Sequence, residues 1–359
     1  MEPSVNFPGV CGVGSALPPN RFEQSVVSEA LWHAWGDTLK DRSRFDRFQH
    51  SVQVNNRYLA CPIEEYGQTL GSLGRTNARW RQVAIELGAD AVRAGLEGAG
   101  IKSSAVDHVF FTTVTGIATP SVDATIANQL TMRPDVKRTP LFGLGCVGGA
   151  TIVARAADYL RAFPDEIAVV LSVELCSLTL QPHDLSAANV IAAALFGDGA
   201  AAVVLSGGRR TRAAAGPRVI ASQTILFPNT EDLMGWDVGD NGFRIILSAG
   251  VPSLIRNHLR RAVDHFLARY ELTRRHIRHW VAHTGGPKVL EAMESALELP
   301  SRGLERSWRS LAELGNLSSA SVLYVLGDLL DSDDAQRGDW GVLLAMGPGF
   351  CAEIVLLHW

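Results

Sequence analysis

Three side chains of types that cooperate in thiol chemistry stand at element boundaries: Cys146 in LFGLGCVGGA, His283 in HWVAHTGGP and Asn316 in GNLSSASVL. Cys146 lies between glycines where a helical pattern begins. Free backbone N–H groups and the positive end of a helix dipole there favour thiolate over thiol. Taken alone, a cysteine among small residues is also a common buried spacer. His283 ends an apolar stretch that runs into Thr-Gly-Gly-Pro, so its ring is expected to project from the carboxyl end of a strand, where open α/β sheets place their ligands. By itself it reads equally as a hydrogen-bonded core histidine, and Asn316 by itself as a helix cap. As a set they do more. A histidinium beside a thiolate lowers the thiol pKa, and an imidazole N–H with an asparagine amide polarises a thioester carbonyl, stabilising an oxyanion or enolate. That chemistry needs neither a metal nor an organic cofactor.

The elements that must carry these residues occur twice in the same order. A helical pattern over 81–100 precedes a strand pattern over 106–116, and a helical pattern over 256–270 precedes a strand pattern over 277–286. Cys146 and Asn316 then each open a helix, and each helix leads to a strand, EIAVVLSVEL or DWGVLLAMG. Gly116 and Gly285 are 169 residues apart and Cys146 and Asn316 are 170 apart, a near-constant offset that predicts two similar halves, 1–210 and 211–359. Related halves packed about a pseudo-twofold axis would turn Cys146 and Asn316 toward one cleft. Alternating strands and helices predict parallel sheets covered by helices, a layered α/β/α/β/α arrangement. The closing GVLLAMGPGFCAEIVLLHW predicts a hairpin that adds an antiparallel edge.

The bulk numbers exclude several classes. A chain of 359 residues, 47% hydrophobic and 19% charged with 34 glycines, is an α/β enzyme composition rather than a disordered or fibrous one. A net charge of −4 leaves no footprint for nucleic acid or an anionic membrane. Five cysteines without a CxxC pair argue against a disulfide framework or a zinc site, and so for a reduced, cytoplasmic setting. No apolar run of about 18 residues predicts membrane insertion, and the first residues lack the pattern of a signal peptide.

The motifs GCVGG (145–149), SVELCSLTL (172–180), LFGDGAAA (195–202), HTGGP (283–287), GNLSSASVL (315–323) and MGPG (346–349) occur in one order over nearly the whole chain. In this the sequence resembles the type III polyketide synthases, relatives of plant chalcone synthase on the thiolase fold. The resemblance implies a thiolase-like fold and a homodimer that takes acyl-CoA and malonyl-CoA as substrates. Cys146 would carry the acyl group, while His283 and Asn316 would promote malonyl decarboxylation and stabilise the enolate. It further implies that Val114, Cys176, Thr179 and Ser318 line the pocket, that Phe196 and Ile245 occupy two gatekeeping aromatic positions, and that Gly347, Pro348 and Gly349 shape the cavity. A residue near Thr119 would reach the other subunit's cavity, and Arg57 and Lys288 would bind coenzyme A.

Ile245 is not aromatic, and Val114 and Cys176 replace pocket threonines of the plant enzymes. More apolar room predicts medium- or long-chain fatty acyl-CoA starters and alkylpyrone or alkylresorcinol products, because each buried methylene contributes about 0.8 kcal/mol. Competing functions are an initiating β-ketoacyl synthase, which takes its malonyl group from acyl carrier protein, and a papain-like Cys/His/Asn peptidase, whose CGSCW-type signature and leader are missing from this sequence. A catalytically silent scaffold on the same fold conflicts with the intact Cys146, His283 and Asn316.

Overall fold

In the computed structural model, which describes residues 7–210 and 216–359, two sets of elements follow one another and share a core order of strand, helix, strand, helix and two strands, with other elements inserted. The first set runs β1 (Gly9–Ala16), β2 (Asn20–Glu23), α1 (Gln24–Leu39), α2 (Arg42–Ser51), β3 (Asn56–Leu59), α3 (Tyr66–Thr69) and α4 (Leu73–Gly98). It continues with β4 (His108–Thr113), α5 (Val122–Gln129), β5 (Lys137–Phe142), α6 (Gly148–Ala162), β6 (Ile167–Leu175), α7 (Ala187–Leu195) and β7 (Asp198–Ser206). The second set opens with β8 (Arg218–Leu226), β9 (Met234–Gly239), β10 (Gly242–Leu247), α8 (Val251–Ala268) and β11 (Ile277–Ala282). It closes with α9 (Pro287–Leu297), α10 (Glu305–Leu314), α11 (Ser321–Leu330), β12 (Trp340–Gly347) and β13 (Cys351–His358). The join expected after residue 210 falls on residues 211–215, outside those described.

The strand order is β5-β4-β6-β7-β1 in one half and β11-β12-β13-β8 in the other, the two meeting where Gly9 pairs with Arg218. Their pairings match. β4 and β6 are parallel, as are β11 and β12; the next two pairs in each half are antiparallel. Strand β6 is buried throughout because both of its faces are covered. Ile167, Val169, Leu171 and Val173 pack in the cluster with α4 and α5, whereas Ala168 and Val170 pack in the cluster with α6 and α11. The latter cluster also takes Val281, Leu343 and Val355 of the second half, so α6 and α11 form a middle layer between the two half-sheets. Helices α8, α9 and α10 cover the far face. The outcome is the expected layered α/β/α/β/α arrangement. No helix among the described residues is long and apolar enough to cross a membrane.

Four expectations need correction. The closing hairpin is not an edge: β13 lies between β12 and β8, because its apolar run from Ile354 to Leu357 is buried on both sides. The strand expected over 106–116 stops at Thr113, which frees Val114 to leave the sheet, and the strand over 277–286 stops at Ala282, immediately before His283. The helix expected to start at 81 starts at Leu73, since its polar-looking first turns still bury Thr76 and Trp80.

Strand β1 approaches α4 at Gly14, where a Cβ would overlap the Ala91 carbonyl and the Gly95 backbone. Gly14→Ala should therefore destabilise the protein by about 1–3 kcal/mol, seen as a lower urea midpoint with an unchanged slope.

Candidate active site

The middle layer positions the cysteine. Cys146 sits in the tight turn Gly145–Val147 that feeds α6, and the matching turn Ser318–Ala320 feeds α11. The two turns touch because residue 149 is glycine: a Cβ there would overlap the Ser319 carbonyl oxygen. Gly145, at φ 57°, lies against the ring of Pro348, which also lines the site. Gly347 and Gly349 hold that proline in place: Gly347 fits against the Val147 amide, and Gly349 takes φ 68°. The Cys146 Sγ consequently lies 3.7 Å from Ser318 Oγ.

His283 follows β11, its N–H donating to the Leu344 carbonyl at 2.9 Å, with the ring 2% exposed. Asn316 is held on both sides by the segment after α7: its N–H donates to Leu195 O (2.8 Å), and its carbonyl accepts from the Gly197 N–H (3.0 Å). Its side-chain Oδ1 accepts from the Ser318 N–H at 2.8 Å, which leaves the amide NH2 as its group for the cavity and for Cys146. Behind the site, Glu174 accepts from the Val114 N–H (3.1 Å), Thr115 (3.0 Å) and Ser319, tying the end of β4 to the turn before α11; burial pushes its carboxyl up to about 7.

Burial dominates the electrostatics. It pushes the Cys146 thiol up to about 12 and the His283 imidazole down to about 4, so each rests neutral. The helix start alone thus does not supply the thiolate expected from sequence. Cys146 and His283 line the same chamber, where a proton passed from one to the other would create opposite charges together.

Cys146, His283, Asn316, Val114, Ser318, Pro348 and Lys288 line one cavity of about 330 Å3. Cys176 and Thr179 line a second, of about 470 Å3, and Phe196, Ile245 and Trp236 line both. The expected pocket is therefore two chambers with a partition. Trp236 was not expected. It is the direct cross-strand partner of Ile245 in the β9–β10 hairpin, so the aromatic bulk missing at Ile245 stands opposite it. Trp236 thus adds bulk beside the apolar room expected at Ile245. The signal was present in MGWDVGDNGFRI, whose Gly-Asp-Asn-Gly turn pairs Trp236 with Ile245.

Cys176 is a buried lining thiol held up by desolvation, and the Thr179 hydroxyl is spent on the Cys176 carbonyl at 2.7 Å. Thr119 is exposed and lines neither chamber of its own chain. Arg57 departs most from expectation. It is 2% exposed, with Nη1 donating to the Ala193 and Phe196 carbonyls, and it lines the second chamber rather than the one that holds Cys146. Arg44 and Arg47 are exposed cations the sequence reading passed over. Arg44 and Arg47 share a helical face with Ser51, and Ser51, with Lys288, lines the catalytic chamber.

A thiol, an imidazole and an amide thus line one chamber within two fused half-sheets. Residues 8–209 match the N-terminal domain, and residues 218–359 the C-terminal domain, of chalcone and stilbene synthases; the chain belongs to this family of type III polyketide synthases, which are acyltransferases. It is 50% identical to a 1,3,6,8-tetrahydroxynaphthalene synthase of Streptomyces peucetius subsp. caesius, over 98% of this chain and 93% of that one. It is 33% identical to a phloroglucinol synthase of Pseudomonas fluorescens, over 96% of this chain and 97% of that one. Among solved structures, the 1,3,6,8-tetrahydroxynaphthalene synthase of Streptomyces coelicolor superposes with a TM-score of 0.91 at 27% identity, covering 98% and 99% of the two chains.

The neutral resting pair makes a prediction about reactivity. Alkylation of Cys146 by iodoacetamide at pH 7 should slow by about tenfold or more in His283→Ala, and its pH profile should move to alkaline values, as read by mass spectrometry of the Cys146 peptide.

Proposed function

We propose that the chain carries an acyl group on Cys146 and lengthens it with malonyl-CoA by decarboxylative Claisen condensation. His283 takes the thiol proton, the thiolate attacks the starter thioester, and coenzyme A leaves carrying a proton. Malonyl-CoA then loses its carboxylate as carbon dioxide, and the electron pair left behind forms a thioester enolate whose oxygen accepts from the His283 N–H and the Asn316 amide. The enolate carbon attacks the acyl carbonyl, the bond to Sγ breaks, and the chain, two carbons longer, sits on coenzyme A. The Cys146 thiolate freed in this step regains its proton from solvent by way of His283, one proton being consumed for each carbon dioxide released. The observation that carries this reading is the shared chamber, with Asn316 Oδ1 tied back so that its NH2 serves the cavity. Lys288, with Arg44 and Arg47 on α2, is the proposed clamp for the coenzyme phosphates. A homodimer is proposed on the surface formed by the edge strand β5, where Phe142 is 53% exposed, and the segment after β4, where Ile117 is 47% exposed next to Thr119.

For the starter we favour malonyl-CoA itself, leading to a compact aromatic product of the naphthalene type. The 50% identity to a tetrahydroxynaphthalene synthase supports this, as does the Trp236–Phe196 partition, which keeps the catalytic chamber small. A fatty acyl-CoA starter with alkylpyrone or alkylresorcinol products is the second reading. It is favoured by the apolar chamber beyond the partition, walled by Val27, Leu31, Leu59 and Leu180. Product analysis with malonyl-CoA alone and with a panel of fatty acyl-CoA starters separates them. A naphthalene product from malonyl-CoA alone supports the first; obligate fatty acyl starters overturn it, and Trp236→Ala should then lengthen the longest starter accepted.

Two variants test the chemistry. Cys146→Ala should lose the covalent acyl adduct by intact-protein mass spectrometry while keeping its thermal transition. Asn316→Ala should lower carbon dioxide release from malonyl-CoA by on the order of 100-fold while starter loading persists. Replacing malonyl-CoA by malonyl carrier protein as extender should give no product; preference for the carrier would reinstate the β-ketoacyl synthase reading.

A further inference from the structure

We propose that Arg57 is a positioning residue for Asn316, an inference that rests on the role given to Asn316 above. Three contacts connect them. Arg57 Nη1 donates to the carbonyls of Ala193 and Phe196 (3.0 Å to the latter), at the carboxyl end of α7 where carbonyls lack helical partners and a cation is favoured. Phe196 in turn forms a parallel β-bridge with Asn316, closed by the bonds from Asn316 N to Leu195 O and from Gly197 N to Asn316 O. The Arg57 stem also flanks the turn before Asn316: a Cβ on Gly315 would lie 3.6 Å from Arg57 Cδ.

The guanidinium therefore grips one side of the bridge and its methylenes brace the other. The grip bears on the placement of the Asn316 backbone, and with it the direction of the amide NH2, while Arg57 also lines the second chamber. Cys146 hangs from the turn before α6, which Arg57 does not touch. Arg57 shares its buried region with Asp198, whose carboxylate accepts from the Ala60 (2.6 Å) and Ser177 (2.8 Å) N–H groups. The opposed charge explains why a cation is tolerated there.

The location separates two steps of the reaction. Loading of Cys146 relies on the thiol and imidazole, whereas enolate formation relies on the Asn316 donor, so loosening the bridge should depress the second selectively. The test compares wild type, Arg57→Lys, Arg57→Met, the doubly neutral Arg57→Met/Asp198→Asn and Asn316→Ala. Carbon dioxide release from malonyl-CoA and acyl loading on Cys146 are measured on each folded protein. Carbon dioxide release should fall on the order of 10- to 100-fold in Arg57→Met while loading stays within about twofold, with Arg57→Lys between it and wild type. The double variant should keep the deficit. Equal losses in both steps, no loss in either, or full recovery in the double variant would show that Arg57 only balances the charge of Asp198, and would overturn the inference. If Arg57→Met does not fold, Arg57→Lys and the double variant decide by the same ratio. Normal carbon dioxide release in Asn316→Ala would instead sink the role of Asn316 itself, a distinct outcome from failure of the Arg57 variants alone.

Discussion

The contact on which the rest of the structure depends is the one between the turns that open α6 and α11. Each helix is the middle element of its own half, and each would need a separate core if the halves stood apart. Stacked between the two half-sheets, they share one. The stacking is close because Gly149 lets α6 meet the Ser319 carbonyl with no side chain between them. A side chain at that point would part the turns, lengthen the distance from Cys146 to Ser318, and separate the thiol from the amide of Asn316. Fold and candidate site therefore hang on the same van der Waals contact.

An apolar chamber is the consequence, and it works in two directions. Burial raises the pKa of the Cys146 thiol and lowers that of the His283 imidazole, which disfavours charge on either. In the mechanism proposed above, the same apolar surroundings would strengthen each hydrogen bond aimed at a developing enolate oxygen. The amide of Asn316 suits such a place better than a charged donor. It carries no charge to desolvate, and the Ser318 N–H and Ser321 hydroxyl at its Oδ1 set its orientation before substrate arrives.

Much of this was legible in the sequence, for physical reasons that differ by element. The halves were readable because repeated glycines and apolar runs mark strand ends and helix starts, and these turns tolerate few substitutes. The boundaries at Thr113 and Ala282 were not, because the residues beyond them keep strand-like character while turning into the cavity. Arg57 misled because an arginine near a tyrosine in a polar segment looks like solvated charge. Its burial depends on carbonyls at the end of α7, some 140 residues away, and no local pattern reports them. Trp236 belongs to the same class: its importance arises only when the hairpin register sets it opposite Ile245.

That register also explains how one scaffold can present chambers of different size without altering its chemistry. Phe196 is fixed to Asn316 through the backbone, so it cannot shift without disturbing the proposed enolate site. Trp236 and Ile245 lie on a two-stranded hairpin that pairs with no strand of the main sheet. Substitution there changes the volume of the partition and leaves the bonds around Cys146, His283 and Asn316 untouched. Phe196 and the Trp236–Ile245 pair thus meet at one wall between the two chambers while belonging to elements with different mechanical constraints.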